Sequence, residues 1–297
     1  MRRDISFRTT DGTTLRGWHY QPDGTGPYPT IVMAHGFSAV KEMYLDTYAE
    51  AFADAGLASI VYDNRGLGES DGEPRQEIDP WLQVRDYSDA ITFARNLEQT
   101  DRGRIGVWGS SYSGGHVLVV AAIDRRVRCV VSQVPLISGW QNFRRLVRAD
   151  YLALVQAGLH ADRDNRAAGG SPGVLAVVAE DPTAPSALPT ADSYTWFTQT
   201  AASRAPNWRN EVTLRTIEYG FGYEPGAYIG LISPTPLLMI VASEDHLAVS
   251  DLAIAAYERA CEPKRLVLVP GGHFEAYVEK FDATARPACE WFRTHLC

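Results

Sequence analysis

Only four cysteines, Cys129, Cys261, Cys289 and Cys297, occur in the 297 residues. None stands in a C-x-x-C or Cys/His ligand spacing, so neither a disulfide framework nor a zinc site is signalled. Thiols this sparse suit a reducing cytosol. No apolar run approaches the ~18 residues needed to span a bilayer. After Met1-Arg2-Arg3-Asp4 no apolar stretch precedes Asp11-Gly12, so a signal peptide is not expected. Basic charge is also in deficit: 28 Lys and Arg against 36 Asp and Glu give a net charge of −8. Such a field repels phosphate backbones and makes a nucleic-acid partner unexpected. No internal repeat is visible. With 45% hydrophobic and 22% charged residues, the composition is that of an ordinary globular chain, long enough to bury a large core. Cytoplasmic placement, with neither membrane nor nucleic acid as partner, is the expectation.

Patterning along the chain is regular at both ends. Residues 5–9 and 15–20 predict a hairpin across Asp11-Gly12. Short apolar runs at 31–34, 58–62, 105–108, 128–132, 237–241 and 266–269 read as buried strands. Helical stretches at 41–55, 81–97, 112–123, 251–261 and from Phe274 onward alternate with them. Buried strands alternating with helices predict an α/β fold with a mostly parallel central sheet, covered by helices on both faces. The alternation lapses between residues 136 and 234. That block opens on an amphipathic stretch (140–155), continues Ala/Gly/Pro-rich, and ends dense in aromatics (194–228). It is expected to be a largely helical lid over the C-terminal edge of the sheet, with residues 1–135 and 235–297 forming the core.

The strongest chemical signal is Val107-Trp108-Gly109-Ser110-Ser111-Tyr112-Ser113-Gly114-Gly115, between a predicted strand and a predicted helix. A nucleophile elbow needs small residues two before and two after the nucleophile, because the turn brings backbones together. Ser111 as nucleophile puts Gly109 and Ser113 there, a departure from strict G-x-S-x-G at the second position. Ser110 as nucleophile would put Trp108 where a small residue is required. A glycine-rich turn without chemistry is the plainer alternative.

This motif resembles the nucleophile elbow of the α/β-hydrolase superfamily, whose parts follow in the order nucleophile, acid, histidine. The resemblance implies Asp245 as the acid, in Ala242-Ser243-Glu244-Asp245-His246 after a strand, with Glu244 as rival. The implied base is His273, in Pro270-Gly271-Gly272-His273-Phe274 after the last strand. Ala34-His35-Gly36-Phe37 is similar to the family's oxyanion loop, implying the backbone N–H groups of Phe37 and Tyr112 as the oxyanion hole and a structural part for His35. Asp63-Asn64-Arg65-Gly66-Leu67-Gly68-Glu69-Ser70 resembles a scaffold loop of the same superfamily. The opening Asp11-Gly12 with Gly17-Trp18-His19-Tyr20-Gln21-Pro22, and Ser-Tyr at the elbow, look most like dienelactone-hydrolase-like and cocaine-esterase-like branches. The same style occurs in hydrolases and transferases of polyketide biosynthesis.

The implied activity is a serine hydrolase cleaving an ester, thioester or lactone through an acyl-enzyme on Ser111. An acyltransferase or cyclase with the same residues is the alternative. A peptidase or a non-catalytic binding module is less in keeping with the sequence. A small acyl compound is the expected partner, and neither metal nor organic cofactor is indicated. For the substrate pocket, Trp140, Trp196, Phe197, Phe221 and Tyr223 are candidates, though aromatics in such a block equally serve to pack it onto the sheet. Arg144, Arg145 and Arg148 share a predicted helix face, either a carboxylate clamp or a solvated surface.

Overall fold

The computed structural model describes residues 1–181 and 183–297. The chain opens with the hairpin β1 (Arg2–Arg8) and β2 (Thr14–Tyr20), followed by β3 (Tyr28–Ala34), α1 (Leu45–Asp54), β4 (Ala58–Tyr62), α2 (Pro80–Arg95), β5 (Thr100–Ser110), α3 (Tyr112–Ile123) and β6 (Val127–Gln133). The middle block contributes α4 (Gly139–Leu146), α5 (Leu152–Ala167), β7 (Val174–Leu175), α6 (Ala191–Ser203), β8 (Val212–Thr213) and α7 (Leu214–Phe221). The chain closes with β9 (Leu237–Ala242), α8 (Ser250–Arg259), β10 (Lys264–Val269) and α9 (Phe281–Leu296).

Eight strands form one sheet in the order β1-β2-β4-β3-β5-β6-β9-β10. From β4 to β10 every pairing is parallel, whereas β2 runs antiparallel to both β1 and β4. Burial explains the runs read from the sequence. Every residue of β4 and of β9 is buried, because helices cover both faces and leave no wet side to alternate toward. The central strands deliver their C-terminal ends, Ala34, Ser110, Gln133 and Ala242, to one edge of the sheet, where open α/β folds collect ligands.

The described residues of the block 136–234 add no strand to this sheet; β7 and β8 pair with each other. The block packs directly onto the core. Tyr223, Ile229 and Ile232 lie in the main core, and a Cβ on Gly115 of α3 would stand 2.9 Å from Pro225 Cγ. Packing therefore runs on past the expected edge of the insertion. Two helices also differ from expectation. The amphipathic stretch 140–155 is broken at Val147, extended at ψ 127°. The terminal helix begins at Phe281 rather than Phe274, because Phe274 and Tyr277 turn inward as buried core residues. No helix among the described residues is long and apolar enough to cross a membrane.

Candidate active site

Strand β5 ends at Ser110 and α3 begins at Tyr112, so Ser111 takes the whole change of direction, at φ 59° and ψ −117°. A non-glycine residue there costs about 1–3 kcal/mol and persists only where its surroundings hold it. They do so with backbone bonds: Ser111 N donates to Gln133 O (2.9 Å), and Ser111 O accepts from Leu136 N (2.9 Å). Gly109 has no room for a side chain, since a Cβ would lie 2.1 Å from Ser113 O. Ser113, the departure from the glycine pattern, is accommodated because its buried hydroxyl donates to His35 O at 2.5 Å, joining the elbow to the neighbouring loop. The two adjacent serines differ sharply. Ser110 is fully buried and its hydroxyl pairs with Tyr277 Oη at 2.5 Å. Ser111 lines a cavity.

Asp245 stands just beyond β9 and His273 just beyond β10, both buried, with His273 Nδ1 donating to Asp245 Oδ2 at 2.7 Å. The other carboxylate oxygen, Oδ1, accepts from Leu247 N and Ala248 N, each at 2.8 Å. The carboxylate is thus fixed by two backbone donors and in turn fixes the imidazole. With its proton on Nδ1, a neutral His273 keeps Nε2 as the basic nitrogen. The turn before it is shaped by Glu275, which accepts from Gly272 N at 3.1 Å. His273 and Ser111 line one small cavity, with no hydrogen bond between their side chains among the described residues, a bond that commonly tightens only when substrate is bound. Glu244, the rival acid, is exposed, and its backbone N donates to Gly271 O.

The loop after β3 faces the elbow closely: a Cβ on Gly36 would fall 2.7 Å from Ser111 Cβ and 3.2 Å from its Oγ. Neither Phe37 N nor Tyr112 N has a hydrogen-bond partner among the described residues, and Phe37, Ser111 and Tyr112 line the same cavity. His35 holds the loop from beneath. Its Nδ1 accepts from Gly36 N (2.8 Å), so its Nε2–H donates to Met43 O (2.8 Å). Burial lowers its pKa to about 4, and the nearby His273 adds to the effect. It is a neutral, doubly used imidazole.

The loop is anchored at its far end by Lys41, which is fully buried. Its ammonium meets Glu42 at 2.8 Å, Asp63 at 2.9 Å and Glu69 at 2.6 Å. Burial works against that charge, but the three carboxylates outweigh it and raise the Lys41 pKa. Among the described residues, these three carboxylates are the group whose spacing suits a metal ion. Lys41 already supplies their cation. Asp63 and Ser70 of the scaffold loop act here, Asp63 accepting from Lys41 N and Glu69 N as well.

The main cavity, about 110 Å³, is bounded by Phe37, Ser111 and Tyr112 on the core side. Leu136, Phe143, Leu146, Leu188, Ile217 and Phe221 close it from the middle block. Of the aromatic candidates, Phe221 is in this wall, while Trp196 and Phe197 border the smaller cavity beside His273. Trp140 and Tyr223 border neither. Trp140 is half-exposed and packs edge-on against Phe221. Tyr223 is fully buried, and its hydroxyl donates to His116 Nδ1 (2.8 Å), whose Nε2–H donates to Gln83 Oε1 (2.9 Å). The arginine face is solvated: Arg145 pairs with Asp251 and Arg148 with Asp150 at the surface.

Sequence reasoning missed Asn142. Buried in the cavity wall, it donates from Nδ2 to Leu247 O (2.8 Å) and accepts at Oδ1 from Val249 N (3.2 Å). It thereby ties α4 to the loop that holds Asp245. The aliphatic wall was missed too, since no local pattern marks which face of a short helix meets a distant elbow.

A mostly parallel sheet with a strained serine at one strand end, and an Asp–His pair at two others, is the architecture of the α/β-hydrolase enzymes, the class to which this chain belongs. Residues 11–275 match the model of the X-Pro dipeptidyl-peptidase (S15) family, and the chain belongs to that family. It is 34% identical over 278 residues to a thiohydrolase of Eupenicillium brefeldianum, covering 92% of this chain and 88% of the relative. It is 30% identical over 303 residues to the polyketide transferase grgF of Penicillium sp, covering 99% and 97%. The crystal structure of the α/β hydrolase GrgF from Penicillium sp. sh18 superposes with a TM-score of 0.85 at 28% identity, over 100% of this chain and 99% of that one.

Proposed function

We propose that this enzyme cleaves a thioester or ester of an apolar acyl chain, through a covalent acyl-enzyme on Ser111. The observation that carries the reading is the 2.7 Å Asp245–His273 bond beside a serine that opens into an apolar cavity. In this reading His273 Nε2 takes the Ser111 hydroxyl proton as Oγ attacks the carbonyl carbon. Asp245 holds the imidazole tautomer and stabilises the imidazolium. The unpartnered N–H groups of Phe37 and Tyr112 receive the developing oxyanion. The thiol or alcohol leaves with the proton from His273, and water then releases the acid. The wall of Leu136, Leu146, Leu188, Ile217 and Phe221 suits an acyl chain, and the thiohydrolase relative favours a thioester.

Transfer of the acyl group to another acceptor is the second reading, favoured by the polyketide-transferase relative. Release of dipeptides, which the family's name suggests, is less well supported. A free peptide N-terminus would need a carboxylate in the pocket, and the described residues lining the main cavity include no acid. We place the enzyme in the cytoplasm, a setting that suits four free thiols.

The test is to mix the protein with acyl thioesters of N-acetylcysteamine, from acetyl to decanoyl, and follow thiol release and protein mass. Thiol release with an acyl adduct on Ser111, favouring medium chains over acetyl, supports the reading. Release of dipeptides from peptide substrates, with thioesters inert, would overturn it.

A further inference from the structure

Two cavities meet at Ser111, and they differ in kind. Ser111, Phe37, Leu188 and Leu247 border both. The larger extends among the aliphatic side chains of the middle block. The smaller, about 10 Å³, lies on the His273 side, bounded by His35, Trp196, Phe274 and Tyr277. A cavity of about 10–15 Å³ is the least that holds one water. The chamber has room for a single water and opens on the side it shares with the larger cavity, so an alcohol seated there would press its carbon chain on the walls or extend into that cavity.

Trp196 is the largest side chain on its wall. Its ring is clamped, stacked on Phe274 at 4.8 Å and met edge-on by Phe197 at 4.9 Å, with Tyr277 at 5.5 Å. Trp196 is buried, yet its indole Nε1–H has no hydrogen-bond partner among the described residues. That N–H is closed off by protein on all sides, so it is the bulk of the ring that bears on the chamber. The walls otherwise carry one group able to take a proton from that water, His273, since His35 is used on both nitrogens.

We propose that the Trp196-walled chamber seats the nucleophile that resolves the acyl-enzyme, and that its single-water size makes the enzyme a hydrolase rather than a transferase. The inference rests on the acyl-enzyme reading given above. In the step, the water oxygen attacks the acyl carbonyl carbon while His273 Nε2 takes one water proton. The tetrahedral adduct then collapses: the bond from carbon to Ser111 Oγ breaks, Oγ takes the proton from His273, and the carboxylic acid leaves. An alcohol bound in place of water would follow the same course and give an ester. Trp196 excludes it by bulk.

The experiment uses the full chain with octanoyl-N-acetylcysteamine in buffer containing ethanol or glycerol, reading the thiol burst and the ratio of ester to acid. The wild type is expected to give a burst and mostly acid. Trp196→Ala should raise the ester-to-acid ratio about tenfold or more, the usual scale for opening a pocket by one side chain. Trp196→Leu should raise it less, and provides the comparison if the alanine variant folds poorly. Trp196→Phe, which keeps most of the ring's bulk, should leave the ratio low. An unchanged ratio in both truncated variants, or a ratio in Trp196→Phe as high as in Trp196→Ala, would overturn the proposal. A wild type without any thiol burst would overturn the acyl-enzyme reading itself, and this inference with it.

Discussion

Ser110 and Ser111 share a side chain and differ by one residue in register, yet their surroundings separate them. The Ser110 hydroxyl is held in the core by Tyr277, whereas Ser111 opens into the cavity at a strained φ of 59°. Ser111→Ala should therefore lower kcat by about 10³-fold or more with the fold intact. Ser110→Ala should keep most activity and lose about 1 kcal/mol of stability. Paired turnover and urea-melting measurements would check both, and a dead Ser110→Ala with an active Ser111→Ala would reverse the assignment. The acid invites the same comparison. Asp245→Asn should depress kcat severely, because the amide favours the wrong imidazole tautomer, while Glu244→Gln, at the exposed neighbour, should change kcat little. Equal effects would place the acid elsewhere.

Buried histidines set a pH dependence of stability. Burial lowers the pKa of His116 to about 3 from an ordinary 6.5, with only neutral Tyr223 and Gln83 as hydrogen-bond partners. Below 6.5 the unfolded chain takes up a proton that the folded chain refuses. Stability is thus fully present above that pH and falls as the pH drops toward 3. Asp86 opposes this: burial raises its pKa to about 6, so the folded state gains protons between 6 and 3.8. Urea midpoints from pH 7 to 4 should show a flatter decline in His116→Gln than in the wild type. Parallel curves would show that the folded imidazole takes up its proton as readily as the unfolded one.

At the scale of elements, the site depends on loops that meet without side-chain clearance. Gly36 shows this best, because a Cβ there would press on Ser111 Cβ and Oγ. Gly36→Ala should fold, yet lose activity on the order of 10²-fold through misplacement of the nucleophile. Circular dichroism with kcat/KM would test it, and full activity would show that the loop yields.

The strands, the hairpin and the elbow were legible in the sequence because each is a local pattern: an apolar run, a turn dipeptide, small residues around a serine. Boundaries were less legible where tertiary packing overrides the pattern. Strand β5 reaches back to Thr100 through the polar Asp101 and Arg102, which precede its buried stretch. Phe274 reads as the start of an apolar helix but is spent against Trp196. Likewise Tyr223 and Trp140 carry the composition of a pocket and serve as packing and surface. Asn142 gives no local sign of its part, since its partners, Leu247 and Val249, lie over 100 residues away.

Taken as a whole molecule, the protein sets a rigid parallel sheet beneath a block of helices that supplies most of the cavity wall. The sheet and its loops carry the groups proposed to react, whereas α4 and α7 supply the surface that an acyl chain would touch. Selectivity and chemistry should therefore separate on mutation. Phe221→Ala and Ile217→Ala should shift the preferred thioester chain length while leaving labelling by a fluorophosphonate probe unchanged. Identical chain-length profiles in wild type and both variants would place the acyl chain elsewhere.

The central claim is a covalent acyl group on Ser111, and rapid-quench mass spectrometry tests it most directly. The wild type, mixed with octanoyl-N-acetylcysteamine, quenched in acid and digested, should yield an octanoyl adduct confined to Ser111 that appears with the thiol burst and is absent from Ser111→Ala. An adduct on Ser110 or a cysteine, or turnover that persists in Ser111→Ala, would contradict the account.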